Sequence, residues 1–526
     1  MNKSLALSLS LLSGLLLSVG FPPWDLGPLA FVALVPLLCA VSRSTGVMSF
    51  ILGYLPGAIL AGSFFYPLTE IKGFPISGYL VIALVCGAFY GLFATLYYQI
   101  TRWTGWPPVI IAPALWVAIE FLRANISFLS NPGFLLGYTQ HGFTSLIQIA
   151  TFTSVYGVSF LIVLINATVA EIFLVLSRKD FHHLRSPLKP GVYIRAVSVV
   201  AILVMVLVFG FMEQNRDARE GDAGVKISLV QPNVSQEINH DREGSEKIMG
   251  WYRELTNSSS AVKSDLIVWP ESSTPGYFIS VPEIRSAVSD LVRETGIPLV
   301  LGSSARDKTA VGKTAGIKHS NSAYLVNKEG EIKGTYRKIK LVPFWEYLPL
   351  EGSFKWPRWL VPKHGNTIAG KDASIFRIKG NSFGVVICWE VLYPDFFRNF
   401  TRQGPDFMLN LSNENVFGWT AAPYKVQAMA VFRAIESRKS LLRCNLTGMT
   451  SHIDPYGRET TRVTDENGKD LMVQGVMTAE VPILSKTTFY TRYGDVFAYI
   501  CVVWSVLMLI YTLILKFRTG SENLAV

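Results

Sequence analysis

Charged residues almost vanish from long stretches of this chain. Apolar runs lie at 4–20, 27–42, 48–66, 78–100, 107–122, 147–176, 193–212 and 496–515, each near or above the roughly 17 residues that cross a bilayer as a helix. They predict about eight transmembrane helices. The second and fifth runs are short, and Pro22, Pro23, Pro107 and Pro108 sit at their flanks, which leaves the count open by one. The first run could instead be a cleaved signal peptide, but no small-residue cleavage site stands out and another apolar run follows at once. After residue 224 the pattern changes. Short β-branched runs at 225–234, 265–271, 297–304, 322–327, 383–390, 406–413, 441–448 and 475–482 read as strands. Their continuous apolar character predicts sheets covered on both faces. Helical period in 281–296 and 424–438 completes a layered α/β domain.

Charge orients the helices. Of the 48 basic residues only 12 lie outside 213–495, and eight crossings put ten of them on one side, against Lys72 and Arg123 on the other. That asymmetry predicts cytoplasmic termini and an exoplasmic domain at 213–495. Within it 36 basic residues nearly balance 32 acidic ones, so nothing suggests nucleic acid as a partner. No cysteine or histidine spacing suits a metal and no glycine-rich phosphate loop is present, so neither metal nor cofactor is expected. Of five cysteines, Cys388 and Cys444 fall in the outer domain. An oxidising compartment could join them, but free thiols are expected, because a domain of this size has core enough without a staple.

Three segments carry candidate chemistry. "IVWPESS" ends a strand at Glu271, "YRKIKLVPFWEY" holds Lys338 and Glu346, and "GVVICWE" places Cys388 and Glu390 at the end of another strand. In such sheets reactive groups gather beyond the carboxyl ends of strands. An unperturbed thiol is only a few per cent thiolate at neutral pH, so a cysteine nucleophile needs a carboxylate to take its proton and a cation to hold the charge that develops. Each residue also has an ordinary reading: a buried strand cysteine, a solvated strand end, a surface lysine with its ion-pair partner. Glu120 and Arg123, one helical turn apart, could pair or touch a lipid headgroup.

The order Glu271, Lys338, Cys388, with gaps of 67 and 50 residues, resembles the Glu-Lys-Cys triad of the nitrilase (carbon-nitrogen hydrolase) superfamily. Together with the apolar runs, "FPPWDLGPLAFVALVPLL", "LVPFWEYLPLEG" and "FRAIESRKSLLRCNLTGMTSHIDPYGR", the chain resembles the membrane-bound branch of that superfamily, the bacterial apolipoprotein N-acyltransferases. The resemblance implies a transmembrane helical bundle at 1–212, a nitrilase-like αββα sandwich at 213–495 and an eighth helix with a cytoplasmic tail at 496–526. It implies a protein of the bacterial inner membrane whose catalytic domain faces the periplasm. Its implied reaction is acyl transfer from a phospholipid, through a thioester on Cys388, to diacylglyceryl-modified apolipoproteins, with Glu346 and Glu390 holding Lys338 and the catalytic glutamate in place. The chain departs from the family pattern at Trp345, Trp389, Val416 and near His240, which bears on how the lids close and which acyl chains fit. A tethered amidase using the same triad with water, and a transporter with a degenerate outer domain, are the alternatives. A reporter active only outside the cytoplasm is expected to be active when fused after Asp222 and silent when fused after Val526; the reverse would mean a miscounted helix.

Overall fold

The computed structural model describes residues 2–127, 130–177, 190–216, 222–235, 237–238, 241–306, 318–357, 359–361 and 365–522; His240 lies outside them. The chain divides into two compact units, one of Met1–Thr69, Ile76–Asn215 and Asp495–Val526, the other of Glu70–Pro75 and Arg216–Gly494.

The first unit is helical. Among the described residues six helices are long and apolar enough to cross a membrane: Gly46–Glu70, Ile76–Thr104, Pro108–Asn125, Ala150–Leu176, Pro190–Asn215 and Val496–Arg518. Lys3–Val19 and Gly27–Val41 are shorter apolar helices. The second of these is interrupted at Leu34, between the helical stretches Ala30–Ala33 and Val35–Val41, where Pro36 disfavours a continuous helix. The buried Asn166 side chain repairs the break by accepting from Leu34 N–H and donating to the Ala30 carbonyl, both at 2.8 Å. Glu120 and Arg123 do not form an ion pair among the described residues, contrary to the pairing their spacing allows. Both are buried and turn to the 131–136 segment instead. Glu120 accepts Leu136 N–H at 2.7 Å, and Arg123 donates to the Asn131 carbonyl at 2.9 Å while lying 3.6 Å over the Phe134 ring. In a bundle without bulk water, backbone groups freed by a non-helical segment find these side chains as partners.

The second unit is a two-sheet sandwich. Its strands are β1 (Asp222–Gln231), β2 (Leu266–Val268), β3 (Leu299–Arg306), β4 (His319–Val326), β5 (Ile332–Arg337), β6 (Ile375–Ile378), β7 (Asn381–Ile387), β8 (Phe407–Ser412), β9 (Ser440–Asn445), β10 (Ser451–Ile453), β11 (Glu459–Arg462) and β12 (Gly475–Ile483). One sheet runs β12-β1-β2-β3-β4-β5 and the other β11-β10-β9-β8-β7-β6. Parallel pairing is confined to the centres, β1 with β2 and β2 with β3 in one sheet, β7 with β8 and β8 with β9 in the other. Helices α1 (Arg242–Ala261) and α2 (Pro282–Thr295) cover the first sheet, where Ile248, Tyr252, Leu291 and Val292 meet Ile267, Trp269 and Leu299. Helices α3 (Pro394–Thr401) and α4 (Ala422–Ser437) serve the second. The whole is the αββα layering of nitrilase-like domains.

All five cysteines are free thiols. Cys444 is fully buried between the sheets, its Sγ 3.4 Å from the carbonyl oxygens of Val230 on β1 and Val268 on β2. Burial pushes its thiol far up, so it stays protonated and inert. Cys444→Ala is therefore expected to leave the reactivity of Cys388 within a few-fold of the parent and to lower stability in a denaturant melt by about 1 kcal/mol, the scale of one buried methyl-sized group. A Cys444→Ala protein that lost Cys388 reactivity while remaining folded would contradict this placement.

Candidate active site

Glu271 follows β2 by three residues, on backbone that runs tightly against β3. A Cβ at Gly302 would lie 2.6 Å from the Pro270 carbonyl oxygen and 2.7 Å from Glu271 Cα, so only glycine lets the two segments approach this closely. Just upstream, the buried Trp269 indole donates to Thr256 Oγ1 at 3.0 Å and anchors the strand end to α1. The Glu271 carboxylate is buried. It accepts Asn321 Nδ2 at 2.5 Å and Asn413 N–H at 2.8 Å. Asn321 thus serves two candidate residues, because its carbonyl also accepts Lys338 N–H at 2.8 Å.

Lys338 follows β5, and its side chain is 1% exposed. The ammonium donates to Glu346 Oε1 at 2.8 Å, while Glu346 Oε2 accepts Val342 N–H at 2.7 Å. Burial alone would lower the Lys338 pKa, but Cys388 in its thiolate form and the Glu346 and Glu271 carboxylates each push it the other way, and together they hold it above its usual value. A permanent cation is the result.

Cys388 begins a short 3-10 helix, Cys388–Leu392, directly after β7. Its φ is +55°, a left-handed conformation that costs a non-glycine residue about 1–3 kcal/mol and recurs at functional sites. The strand before it is buried, whereas Cys388 itself is only partly so. Burial pushes the thiol well above its ordinary range, Glu271 adds to that and Lys338 opposes it. Glu271 is raised as well, by burial first, with Lys338 opposing. Burial thus favours the neutral thiol and makes the Glu271 carboxylate a stronger base, directions that suit the passing of one proton between them.

Glu390, with no exposed surface, accepts the Tyr336 hydroxyl at 2.8 Å and the N–H groups of Ile339, Lys340 and Ile387 at 2.7, 2.9 and 2.7 Å. Burial pushes its carboxyl up to about 7, opposed by Ile387 N–H, Lys338, Lys340 N–H and Tyr336. Every partner here donates, so the ionised form is the one this site fits. The expectation that Glu346 and Glu390 between them hold Lys338 and the catalytic glutamate needs correcting in one respect. Glu346 holds Lys338, but Glu271 is held by Asn321 and Asn413, and Glu390 instead fixes the backbone on either side of the site. Asn321 carries no motif that singles it out, its one signal being a polar residue on a mostly buried strand, and Tyr336 stands in the Lys338 segment without any mark of its bond to Glu390. Of the departures, Trp389 stacks on Phe417 with ring centroids 6.2 Å apart, and Trp345 is partly exposed. A cavity of about 360 Å³, lined by Ser272, Ser273, Asn413 and Asn415 among others, adjoins the Glu271 loop. Among the described residues no three His, Cys, Asp or Glu side chains gather as a metal site would need.

Residues 13–168 match the family model of the apolipoprotein N-acyltransferase N-terminal domain, and residues 226–483 match that of carbon-nitrogen hydrolases. An apolipoprotein N-acyltransferase of Geobacter metallireducens is 34% identical over 505 residues, covering 94% of this chain and 92% of its own. One of Chlorobaculum tepidum is 27% identical over 523 residues, covering 94% of each. Among solved structures, a variant of a Nesterenkonia AN1 amidase of the nitrilase superfamily aligns with a TM-score of 0.38 at 15% identity, over 51% of this chain and 94% of that one.

The charges around the thiol give a signed expectation for its titration. Glu271→Gln removes a negative neighbour, so the midpoint of the Cys388 alkylation profile against pH should move down. Lys338→Ala removes the positive neighbour, and the midpoint should move up. Iodoacetamide rates followed by peptide mass spectrometry measure both; shifts of opposite sign would mean that neither charge acts on the thiol as described.

Proposed function

Since this chain belongs to the apolipoprotein N-acyltransferase family, we propose that it moves a fatty acyl chain from a membrane phospholipid to the α-amino group of the N-terminal diacylglyceryl-cysteine of lipoproteins, by way of a thioester on Cys388. The observation that carries this reading is Cys388 held at positive φ at the end of β7, within the electrostatic reach of both Glu271 and Lys338.

In the first half-reaction Cys388 Sγ attacks the ester carbonyl carbon while its proton passes to Glu271. The tetrahedral oxyanion faces the Lys338 ammonium and the Trp389 N–H, donors that need no rearrangement as charge develops. Collapse breaks the bond to the glycerol oxygen, which takes the proton back from Glu271 and leaves as lysophospholipid. In the second half-reaction the neutral α-amine attacks the thioester carbon, Glu271 takes the amine proton, and the thiolate leaves to recover it. An amine attacks a thioester far more readily than an oxygen ester, so the covalent step divides one hard reaction into two easier ones. Glu346 and Glu390 support the triad without touching the substrate.

Both substrates are lipid-anchored, and the apolar helices of this membrane protein would let them arrive laterally. In this reading 1–212 forms the membrane bundle with both termini in the cytoplasm, 213–495 is the catalytic domain on the periplasmic side of the inner membrane, and 496–526 holds the last helix and tail. Purified protein incubated with phospholipid and a diacylglyceryl-cysteine peptide is expected to raise the peptide mass by one acyl chain. Cys388→Ala, Glu271→Gln and Lys338→Ala should each lower that transfer by at least about 10²- to 10⁴-fold with the protein still folded. Release of free fatty acid with no acylated peptide would favour a hydrolase, and full transfer by Cys388→Ala would remove the proposal.

A further inference from the structure

Asn410 lies on β8 with no exposed surface and pairs in register with Val386 on β7. Its Nδ2 donates to two carbonyl oxygens, that of Val386 at 3.4 Å and that of Cys388 at 3.1 Å. Its Oδ1 accepts Arg443 Nε at 3.3 Å. Arg443 is itself fully buried, and its other two nitrogens are committed to Gln427 Oε1 at 2.7 Å and Glu414 Oε1 at 2.6 Å. A charged chain, Glu414 to Arg443 to Asn410, therefore ends on the backbone of the strained residue that bears the thiol. The Glu414–Arg443 pair is buried, and one of the three hydrogen bonds that satisfy the Arg443 guanidinium orients a neutral amide.

The consequence lies in the peptide unit that follows Cys388. A trans peptide is planar and its C=O and N–H point opposite ways; the cis peptide recorded in this chain is Pro22–Pro23, far from here. Holding the Cys388 carbonyl toward Asn410 turns the Trp389 N–H away from Asn410, and a rotation of that plane would move both. An amide suits the task because one side chain supplies two N–H groups and an acceptor at once.

We infer that Asn410, locked by Arg443 and Glu414, is a positioning residue that sets the Cys388–Trp389 peptide plane and so aims the Trp389 N–H at the oxyanion of acyl transfer. The inference rests on the acyl-enzyme reading above. It separates two reactions of one thiol. Acylation by a phospholipid ester builds an oxyanion, whereas alkylation by iodoacetamide is a displacement at carbon that builds none, so only the first depends on the aimed N–H.

The test uses the full-length protein in detergent micelles, with mixed phosphatidylethanolamine and phosphatidylglycerol as the ester and iodoacetamide as the alkylating agent. Asn410→Leu and Asn410→Asp are expected to form the Cys388 thioester about 10²-fold more slowly, the scale of one lost oxyanion donor, while the alkylation rate at each variant's own high-pH plateau stays within about threefold of wild type; Asn410→Leu leaves the pH midpoint in place, and Asn410→Asp, which brings a carboxylate near the thiol, moves it up. If Asn410→Leu fails to fold, the isosteric Asn410→Asp, which keeps an acceptor for Arg443, carries the test. Unchanged thioester formation would overturn the inference. So would a parallel fall in both reactions, since that marks a general structural role. Wild-type protein that alkylates normally yet never forms a thioester would instead overturn the acyl-enzyme reading, and the inference with it.

Discussion

A lysine ammonium with 1% of its side chain exposed keeps its charge only because anions stand beside it. Glu346 supplies the nearest, at 2.8 Å, and the arrangement of the other charges follows from that pairing. Because Glu346 already compensates Lys338, the thiol of Cys388 is not drawn into a resting thiolate–ammonium pair. It stays protonated under the combined push of burial and Glu271. A neutral thiol is a poor target for oxidants, and in the proposed reaction it becomes a nucleophile only when Glu271 takes its proton. Breaking the Lys338–Glu346 pair from either side would leave a buried charge without its nearest partner.

The second constraint is how two sheets agree on the position of one site. Tyr336, Ile339 and Lys340 belong to the end of β5 and the turn after it, on the first sheet. Ile387 ends β7 on the second. Glu390 accepts from all four, so one ionised carboxylate fixes the backbone around Lys338 relative to the backbone before Cys388. Asn321 does the same within the first sheet, joining Glu271 to Lys338. Rigid strand ends, tied by buried hydrogen bonds, hold groups that would otherwise sit on mobile loops.

Much of this was legible in the amino-acid pattern. The eight β-branched runs coincide with β1–β4, β7–β9 and β12; all but the edge strand β12 lie inside their sheets, where strands covered on both faces are continuously apolar. The four strands without such a signal, β5, β6, β10 and β11, have six residues or fewer, and β5 and β11 alternate in burial through residues such as Lys333 and Thr461. In the membrane half, apolar length locates helices but not their breaks, so the interruption at Leu34 needs the contact from Asn166 to be seen. The segments that hold Glu271, Lys338 and Cys388 were legible through their flanking motifs. The roles of Asn321, Asn410 and Tyr336 were not, since each acts on a residue tens of positions away, and only the folded register brings them together.

The central claim is that the acyl chain rests on Cys388 between the two substrates. Rapid mixing of the protein with phospholipid alone, followed by mass spectrometry of the peptide containing Cys388, tests it most directly. The account expects one acyl group on that peptide, lost to neutral hydroxylamine and passed to a diacylglyceryl-cysteine peptide added afterwards. Normal transfer to the peptide with no acyl group ever found on Cys388 would contradict it.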